Sequence, residues 1–162
     1  MIRNIEISDA SDICNIYNYY IQNSIATFEE QILYVKEMEI RIAECISSGL
    51  PWIVFEEENK VIGYGCLSKW KGRCSYRHSF ESSVYVQTSH QKKGIGSKIY
   101  DALLNTNKVK NSHVIIGGIS LPNEASIILH EKFGFKKVAH FKEVGFKFDQ
   151  WVDVGYWQKT ID

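Results

Sequence analysis

The sequence lacks the features that mark several common protein classes. Its 162 residues carry 19 basic and 19 acidic side chains, and a zero net charge argues against a general nucleic-acid binder, which is usually basic. No apolar stretch approaches the roughly 20 residues that a membrane helix needs, and the opening residues lack the apolar core of a signal peptide. There is no linker, repeat or low-complexity tract. We therefore expect a single domain, residues 1–162, with no membrane or nucleic-acid partner.

Metal-ligand spacing is also missing. The four cysteines form no Cys-x-x-Cys pair and show no zinc-type spacing, and four of the five histidines have no paired spacing: His78, His90, His113 and His140. We expect no metal. Three of the cysteines sit among apolar residues and are expected to be reduced core thiols, which favours a cytoplasmic protein.

Alternating strand and helix patterns fill the chain. Period-two or continuous apolar runs predict strands, and apolar residues spaced three and four apart predict helices. The predicted strands are 2–7, 52–55, 61–67, 80–86, 113–119, 136–148 and 151–157, and the predicted helices lie within 8–21, 27–49, 94–104 and 125–133. Strands 52–55 and 61–67 are expected to form a hairpin with a charged turn. This order predicts a mixed sheet with helices on both faces.

Capping residues set the expected starts of the first two helices. Ser8 and Asp9 offer an N-cap and a first-turn acid. Thr27 and Glu30 have the spacing of a capping box, so they predict the start of the second helix.

The most informative segment follows the strand 80–86. A polar loop leads into Gly94-x-Gly96, which opens an amphipathic helix, and Lys92 and Lys93 stand beside it. Glycines allow close approach of a ligand, and the free N–H groups of a first helical turn favour an anion such as a phosphate. A P-loop is excluded because the chain has no Gly-Lys pair, and a dinucleotide fingerprint is excluded because Ile99 replaces its third glycine.

This loop carries a resemblance to a known family. Gln91-x-x-Gly94-x-Gly96 resembles the acetyl-CoA pyrophosphate loop of the GNAT family of N-acetyltransferases, and residues 123–135 resemble its second signature. Further blocks are similar to the phosphinothricin acetyltransferases of that family: 16–18, 26–29, 70–76, 81–86, 144–147 and 151–158. The resemblance implies the GNAT α/β (α+β) fold, a mixed and mostly antiparallel sheet of about seven strands, and acetyl-CoA as co-substrate.

Cofactor contacts follow from the same resemblance. It implies that acetyl-CoA lies beside the strand that contains Val84, Tyr85 and Val86. The residues expected to hold the pyrophosphate and the rest of the cofactor are Gln91, Lys92, Lys93, Gly94, Ile95, Gly96, Ser97, Asn123 and Lys132. A backbone N–H near Val86 is expected to stabilise the thioester oxygen.

Two candidate catalytic residues stand out. Glu81 is the candidate base that takes a proton from the attacking amine, directly or through water; a salt bridge at the start of a strand is the alternative. His130 occupies the place of a tyrosine acid in the wider family, as it does in the phosphinothricin group, and its role as acid, base or structural residue stays open.

The acceptor side is assigned to a basic loop. Lys71 and Arg73 suit carboxylate or phosphinate oxygens, and the expected acceptor contacts are Phe28, Lys71, Arg73, Cys74, Ser75 and Tyr76. The expected acceptor is a small amino acid of the phosphinothricin or methionine sulfoximine type, whose α-amine attacks the thioester directly in a ternary complex. The aromatic run 141–157 is expected to be core or dimer interface, and the resemblance implies a homodimer.

Two other functions remain open from the sequence. The chain could acetylate another amine, such as a peptide terminus or a polyamine, although a polyamine site needs clustered acids. It could also be a CoA-binding sensor without turnover.

Charge is distributed unevenly along the chain. Residues 69–98 contain seven basic side chains and a single acid, Glu81, so the rest of the chain carries an equal negative excess. The positive segment coincides with the parts assigned to an anionic cofactor and a carboxylate acceptor.

Overall fold

A computed structural model describes residues 1–161. One sheet holds seven strands in the order β1-β2-β3-β4-β5-β7-β6, antiparallel except between β4 and β5. The strands are β1 Ile2–Asn4, β2 Trp52–Glu57, β3 Lys60–Lys69, β4 Ser79–Val86, β5 Val114–Leu121, β6 Lys136–Lys147 and β7 Gln150–Thr160. The expected mixed, mostly antiparallel sheet is confirmed.

Helices cover both faces of this sheet, as the pattern predicted. They are α1 Ala10–Asn23, α2 Val35–Ser47, α3 Ile95–Leu104, α4 Asn107–Lys110 and α5 Glu124–Lys132. One core packs α1 and α2 against β2 and β3, and it includes Ile13, Ile16, Met38, Ile42, Val54 and Tyr64. A second core on the opposite face includes Phe80, Tyr100, Leu103, Ile115, Phe135 and Trp157. No helix among residues 1–161 is long and apolar enough to cross a membrane.

The start of the chain departs from the prediction. The first strand ends at Asn4 rather than at residue 7, and Ile7–Asp9 form a short 3-10 turn before α1. The cause is Asp9, whose carboxylate accepts the Glu6 N–H at 2.8 Å and pairs with Arg3 at 2.8 Å, so the chain turns sharply there. Ser8 is therefore not the helix cap.

The predicted start of the second helix at Thr27 is wrong. Helix α2 begins at Val35, where Glu37 accepts the Tyr34 N–H at 2.7 Å in a capping box. Thr27 has another role, because its hydroxyl bonds the Tyr17 hydroxyl at 2.8 Å and accepts the Glu29 N–H. The four-residue helix α4 was not predicted, since a single turn leaves almost no periodic signal.

Candidate active site

The two halves of the sheet separate between β4 and β5. These strands pair in parallel only where Ser79–Glu81 meets Val114–Ile116. Beyond Glu81, β4 remains paired with β3 on one side and β5 remains paired with β7 on the other. A V-shaped gap therefore opens between the halves, with Glu81 at its closed end.

Backbone N–H groups of β4 line this gap. The Gln87 N–H donates to the Ile62 carbonyl at 2.8 Å, and bonded and non-bonded pairs alternate along an antiparallel ladder. By that alternation Tyr85 is bonded to β3, whereas Val84 and Val86 turn their backbone groups into the gap. The exposed strand edge can pair with an extended ligand that carries amides.

The glycine loop ends at the wide end of the gap. Gly94 has a φ of +76°, which favours glycine, and the first helical bond of α3 runs from the Lys98 N–H to the Gly94 carbonyl at 3.1 Å. The amides that precede Lys98 in the first turn, from Ile95 to Ser97, are therefore free to bind an anion. Lys92 and Lys93 are exposed next to this turn.

Several predicted cofactor residues have contacts within the protein. Lys132 donates to the Ser97 hydroxyl at 3.2 Å, so α5 lies beside the anion-binding turn. Asn123 caps α5 by accepting the Ser126 N–H, which leaves its side-chain NH₂ free.

Gln91 contacts helix α1 rather than pointing along the loop. Its amide donates to the Tyr20 hydroxyl at 2.9 Å, and that hydroxyl donates to the Val86 carbonyl at 2.6 Å. The Gln91 side chain thus links the loop, through Tyr20, to the end of β4.

Glu81 lies on the α1/α2 face of the sheet. Its carboxylate lies over Gly118 of β5, where a Cβ atom would be 2.8 Å from Oε1. The side chain is half-buried. Burial raises the pKa of the Glu81 carboxyl, and no hydrogen bond or cation among residues 1–161 acts against that shift.

His130 lies on α5, and its ring is buried. Nδ1 is 2.7 Å from the Ser126 carbonyl, and since a carbonyl only accepts, Nδ1 carries the proton. Nε2 is buried without a partner among residues 1–161, and the imidazole covers Gly117 closely. Burial lowers the pKa of His130, and the bond to Ser126 only partly offsets it. The neutral ring therefore presents a hydrogen-bond acceptor at Nε2.

The two candidate catalytic residues lie on opposite faces of the sheet. Ser82, next to Glu81 on β4, bonds the Tyr100 hydroxyl at 2.9 Å on the α3/α5 face, so Glu81 points the other way. The imidazole of His130 packs on the same α3/α5 face, 5.2 Å from the ring of Tyr100. No local pattern in the sequence predicts this separation.

The predicted acceptor residues divide between two places. Lys71, Arg73, Cys74, Ser75 and Tyr76 are exposed in the loop between β3 and β4, adjacent to the β4 segment that carries Glu81. Phe28 comes from another part of the chain, the segment between α1 and α2 on the Glu81 face of the sheet, and its ring packs on Gly145 of β6. Within residues 1–161 no cluster of three metal-ligating side chains is present.

Sequence reasoning missed part of the wall around Glu81. Tyr156 of β7 contacts Trp70 with ring centroids 5.3 Å apart, and burial together with the Glu81 charge raises the pKa of Tyr156. Tyr156 was assigned to core or interface. The signal that could have found it is the period-two alternation of β7, which turns Tyr156 away from the buried Trp157.

The family model described as "Acetyltransferase (GNAT) domain" matches residues 2–155. Phosphinothricin N-acetyltransferase of Streptomyces viridochromogenes is 34% identical over 161 residues, which cover 99% of this chain and 87% of that protein. L-methionine sulfoximine/L-methionine sulfone acetyltransferase of Salmonella typhimurium is 32% identical, with 99% and 94% covered.

A solved structure is also similar. It is an acetyltransferase from Salmonella typhimurium with its cofactor acetyl-CoA, which superposes with a TM-score of 0.97 at 31% identity and covers 100% of this chain and 94% of that one.

Proposed function

The chain belongs to the GNAT acetyltransferase family and is an N-acetyltransferase, and we propose that its acceptor is the α-amine of a small amino acid of the phosphinothricin or methionine sulfoximine type. The observation that carries this proposal is the position of Glu81. It stands at the closed end of the gap and directly follows the loop that presents Lys71 and Arg73. A base on a strand that continues from a loop with two exposed cations suits an acceptor that has both an amine and an anionic group.

The amine must first lose a proton, because an α-amine has a pKa near 8 and is largely protonated at neutral pH. Glu81 accepts that proton on the α1/α2 face, directly or through a water. The amine nitrogen then attacks the thioester carbonyl in a ternary complex, a C–N bond forms and the C–S bond breaks. The acylated nitrogen loses its second proton and the departing thiolate takes up one proton, so the products are an amide and a free thiol.

The backbone supplies the rest of the chemistry. The N–H groups of Val84 and Val86 face the gap, which supports a role in pairing with the pantetheine arm and in stabilising the thioester oxygen. The free amides of the α3 first turn, with Lys92, Lys93 and Lys132 nearby, fit a pyrophosphate.

A thiol-release assay with a panel of amines tests the proposal. The protein is incubated with acetyl-CoA and either phosphinothricin, methionine sulfoximine, methionine, a peptide with a free N-terminus or spermidine. We expect thiol release with the amino acids above that with the other amines. Release with the peptide or spermidine alone would contradict the proposed acceptor.

Arg73→Ala tests the carboxylate contact. Loss of one charge-assisted hydrogen bond is worth about 1.5–3 kcal/mol, so KM for the amino acid should rise roughly tenfold or more. The same variant should leave KM for the corresponding amino-acid amide unchanged. Arg77→Ala is the matched control from the same loop, because the Arg77 side chain bonds only the Cys74 carbonyl there. An equal rise in both variants would mean that the loop acts through its net charge.

We also propose a cytoplasmic homodimer. All four cysteines carry free thiols, and the exposed apolar side chains on and around β6 suit contact with a second copy: Val138, Phe141, Val144, Phe146, Phe148 and Trp151. Sedimentation equilibrium measures the mass directly, and a monomer at micromolar concentration would contradict the dimer.

A further inference from the structure

Lys147, the last residue of β6, is an unusual lysine. Only 2% of it is exposed, and its ammonium donates to the Ser24 and Thr27 carbonyls at 2.7 Å each. It forms no ion pair with a carboxylate in the part of the chain that the structure describes. Lysine is rarely buried unless it is paired, because removing an ammonium from water is costly. Burial lowers the pKa of Lys147, against the opposing charge of Glu30.

The two carbonyls belong to the segment that joins α1 to α2. This segment, residues 24–29, crosses the gap between the two halves of the sheet on the face of Glu81. At the β4 half, the Tyr85 hydroxyl donates to the Ala26 carbonyl at 3.5 Å, and Tyr85 shares its face with Glu81. At the β6 half, Lys147 is the polar contact. The segment therefore bridges the two arms of the gap.

Phe28 is placed by the same arrangement. A Cβ atom at Gly145 would lie 2.7 and 2.8 Å from two carbons of the Phe28 ring, so the ring rests directly on the β6 backbone. Gly145 is two residues from Lys147 on the same strand. The other side of the ring is open, since 41% of Phe28 is exposed.

We propose that Lys147 is a positioning residue for the acceptor amine: it fastens segment 24–29 to β6, and the fastened segment holds Phe28 as the wall of the acceptor site. Lys147 reaches no reacting atom itself and acts through the two carbonyls. The positioning role rests on the proposed function, because that function identifies the acceptor. The attachment of segment 24–29 to β6 is independent of the proposed function.

The first experiment measures the segment without any substrate. Lys147→Met keeps the length of the side chain and removes the ammonium. Hydrogen exchange followed by mass spectrometry should show faster exchange in peptides that cover residues 24–34, with exchange in α5 unchanged. Unchanged exchange in residues 24–34 would overturn the proposal whatever the acceptor is.

The second experiment separates positioning from stability. We expect Lys147→Met to raise acceptor KM about tenfold, with kcat and KM for acetyl-CoA within about twofold, a loss of roughly 1.4 kcal/mol in acceptor binding. Phe28→Ala should give a similar rise, and the double variant should be no worse than Phe28→Ala alone, because both changes remove one wall.

Val109→Ala is the control for general destabilisation. Val109 lies on α4, is 1% exposed and packs into the core on the opposite face of the sheet. It should lower the melting temperature without changing acceptor KM. The role of Lys147 would be overturned if the rises in acceptor KM caused by Lys147→Met and Phe28→Ala multiplied in the double variant. An equal rise in acceptor KM in Val109→Ala would overturn it as well. If exchange rises in residues 24–34 but no amino acid releases thiol, the fastening is supported and the proposed acceptor alone fails.

Discussion

The two faces of the sheet give their ionisable side chains different burial and different hydrogen bonding near the same gap. Glu81 lies over Gly118 on one face, and His130 lies over the adjacent Gly117 on the other. Glu81 is half-buried and free of hydrogen bonds that shift its pKa, whereas His130 is 7% exposed and held by Ser126. Burial raises one pKa and lowers the other, so it favours the neutral form of both.

The two groups differ in what their neutral forms can do chemically. A neutral carboxyl cannot act as a base, so Glu81 must remain partly accessible in order to lose its proton to solvent. A neutral imidazole with its proton on Nδ1 accepts a hydrogen bond at Nε2, and burial of His130 does not remove this ability. In the proposed mechanism, proton exchange therefore takes place on the α1/α2 face, and the α3/α5 face provides a fixed hydrogen-bond acceptor.

The largest expected effect comes from Glu81→Gln. Removing a general base costs typically 10²–10⁴-fold, so we expect kcat to fall by roughly 10²–10³-fold at pH 7. The loss should shrink as pH rises, because the amine then loses its proton without help. In the wild type the raised pKa of Glu81 predicts an acid limb, with activity falling as the pH drops through that pKa. The measurement is a pH–rate profile by thiol release.

Glu58→Gln, in the exposed turn between β2 and β3, is the matched control and should keep the wild-type profile. A near-wild-type, pH-independent rate in Glu81→Gln would show that Glu81 is not the base. The proposed difference in function between the two faces would then fail.

Local patterns predicted the elements of the fold better than the faces of the site. The strands and the helices α3 and α5 follow from periodicity, and the loop at Gly94 follows from composition next to a helix start. The cap at Thr27 failed because its hydroxyl is taken by Tyr17 across the fold, a contact that spacing cannot show.

The two faces depend on non-local pairing. Glu81 and His130 are both candidates from the sequence, but their placement on opposite faces is set by the register of β4 against β5 and by the packing of α5. Two adjacent glycines of β5, Gly117 and Gly118, make room for the two side chains, and no local rule distinguishes them from glycines that weaken a strand.

A smaller effect is expected at His130, and its two amide variants test which nitrogen matters. Asparagine can keep the bond from the Nδ1 position to Ser126, and glutamine places a polar atom near the position of Nε2. If Nε2 is the functional acceptor, His130→Asn should lower kcat about tenfold, the value of one hydrogen bond near 1.4 kcal/mol, and His130→Gln should lower it less. Neither loss should recover at high pH, unlike that of Glu81→Gln.

Wild-type turnover in His130→Asn would make this histidine a packing residue. Recovery of either variant at high pH would place proton exchange on both faces and break the comparison. Circular dichroism melts of both variants report whether the core around Tyr100 and Phe135 is intact.

The smallest effects on turnover should come from the glycine pair, and they should differ in kind. A Cβ at Gly117 would overlap the imidazole of His130, which is packed between Tyr100 and Phe135 and cannot retreat. Overpacking of this sort costs about 1–3 kcal/mol, and each kcal/mol lowers the melting temperature of a chain of this size by roughly 2–4 °C. A Cβ at Gly118 would instead meet the end of the Glu81 side chain at 2.8 Å, and that end can rotate away. It would also lie 3.1 Å from the ring of Tyr156, which need shift by only a few tenths of an ångström. Gly118→Ala should therefore melt close to the wild type but turn over several-fold more slowly, because the carboxylate is displaced. Gly117→Ala should show the reverse order, with stability lost first.

Calorimetry and initial rates on both variants test these expectations. Equal melting temperatures would mean that both faces tolerate an added methyl group equally well. The distinction between a buried acceptor at His130 and an accessible base at Glu81 would then fail.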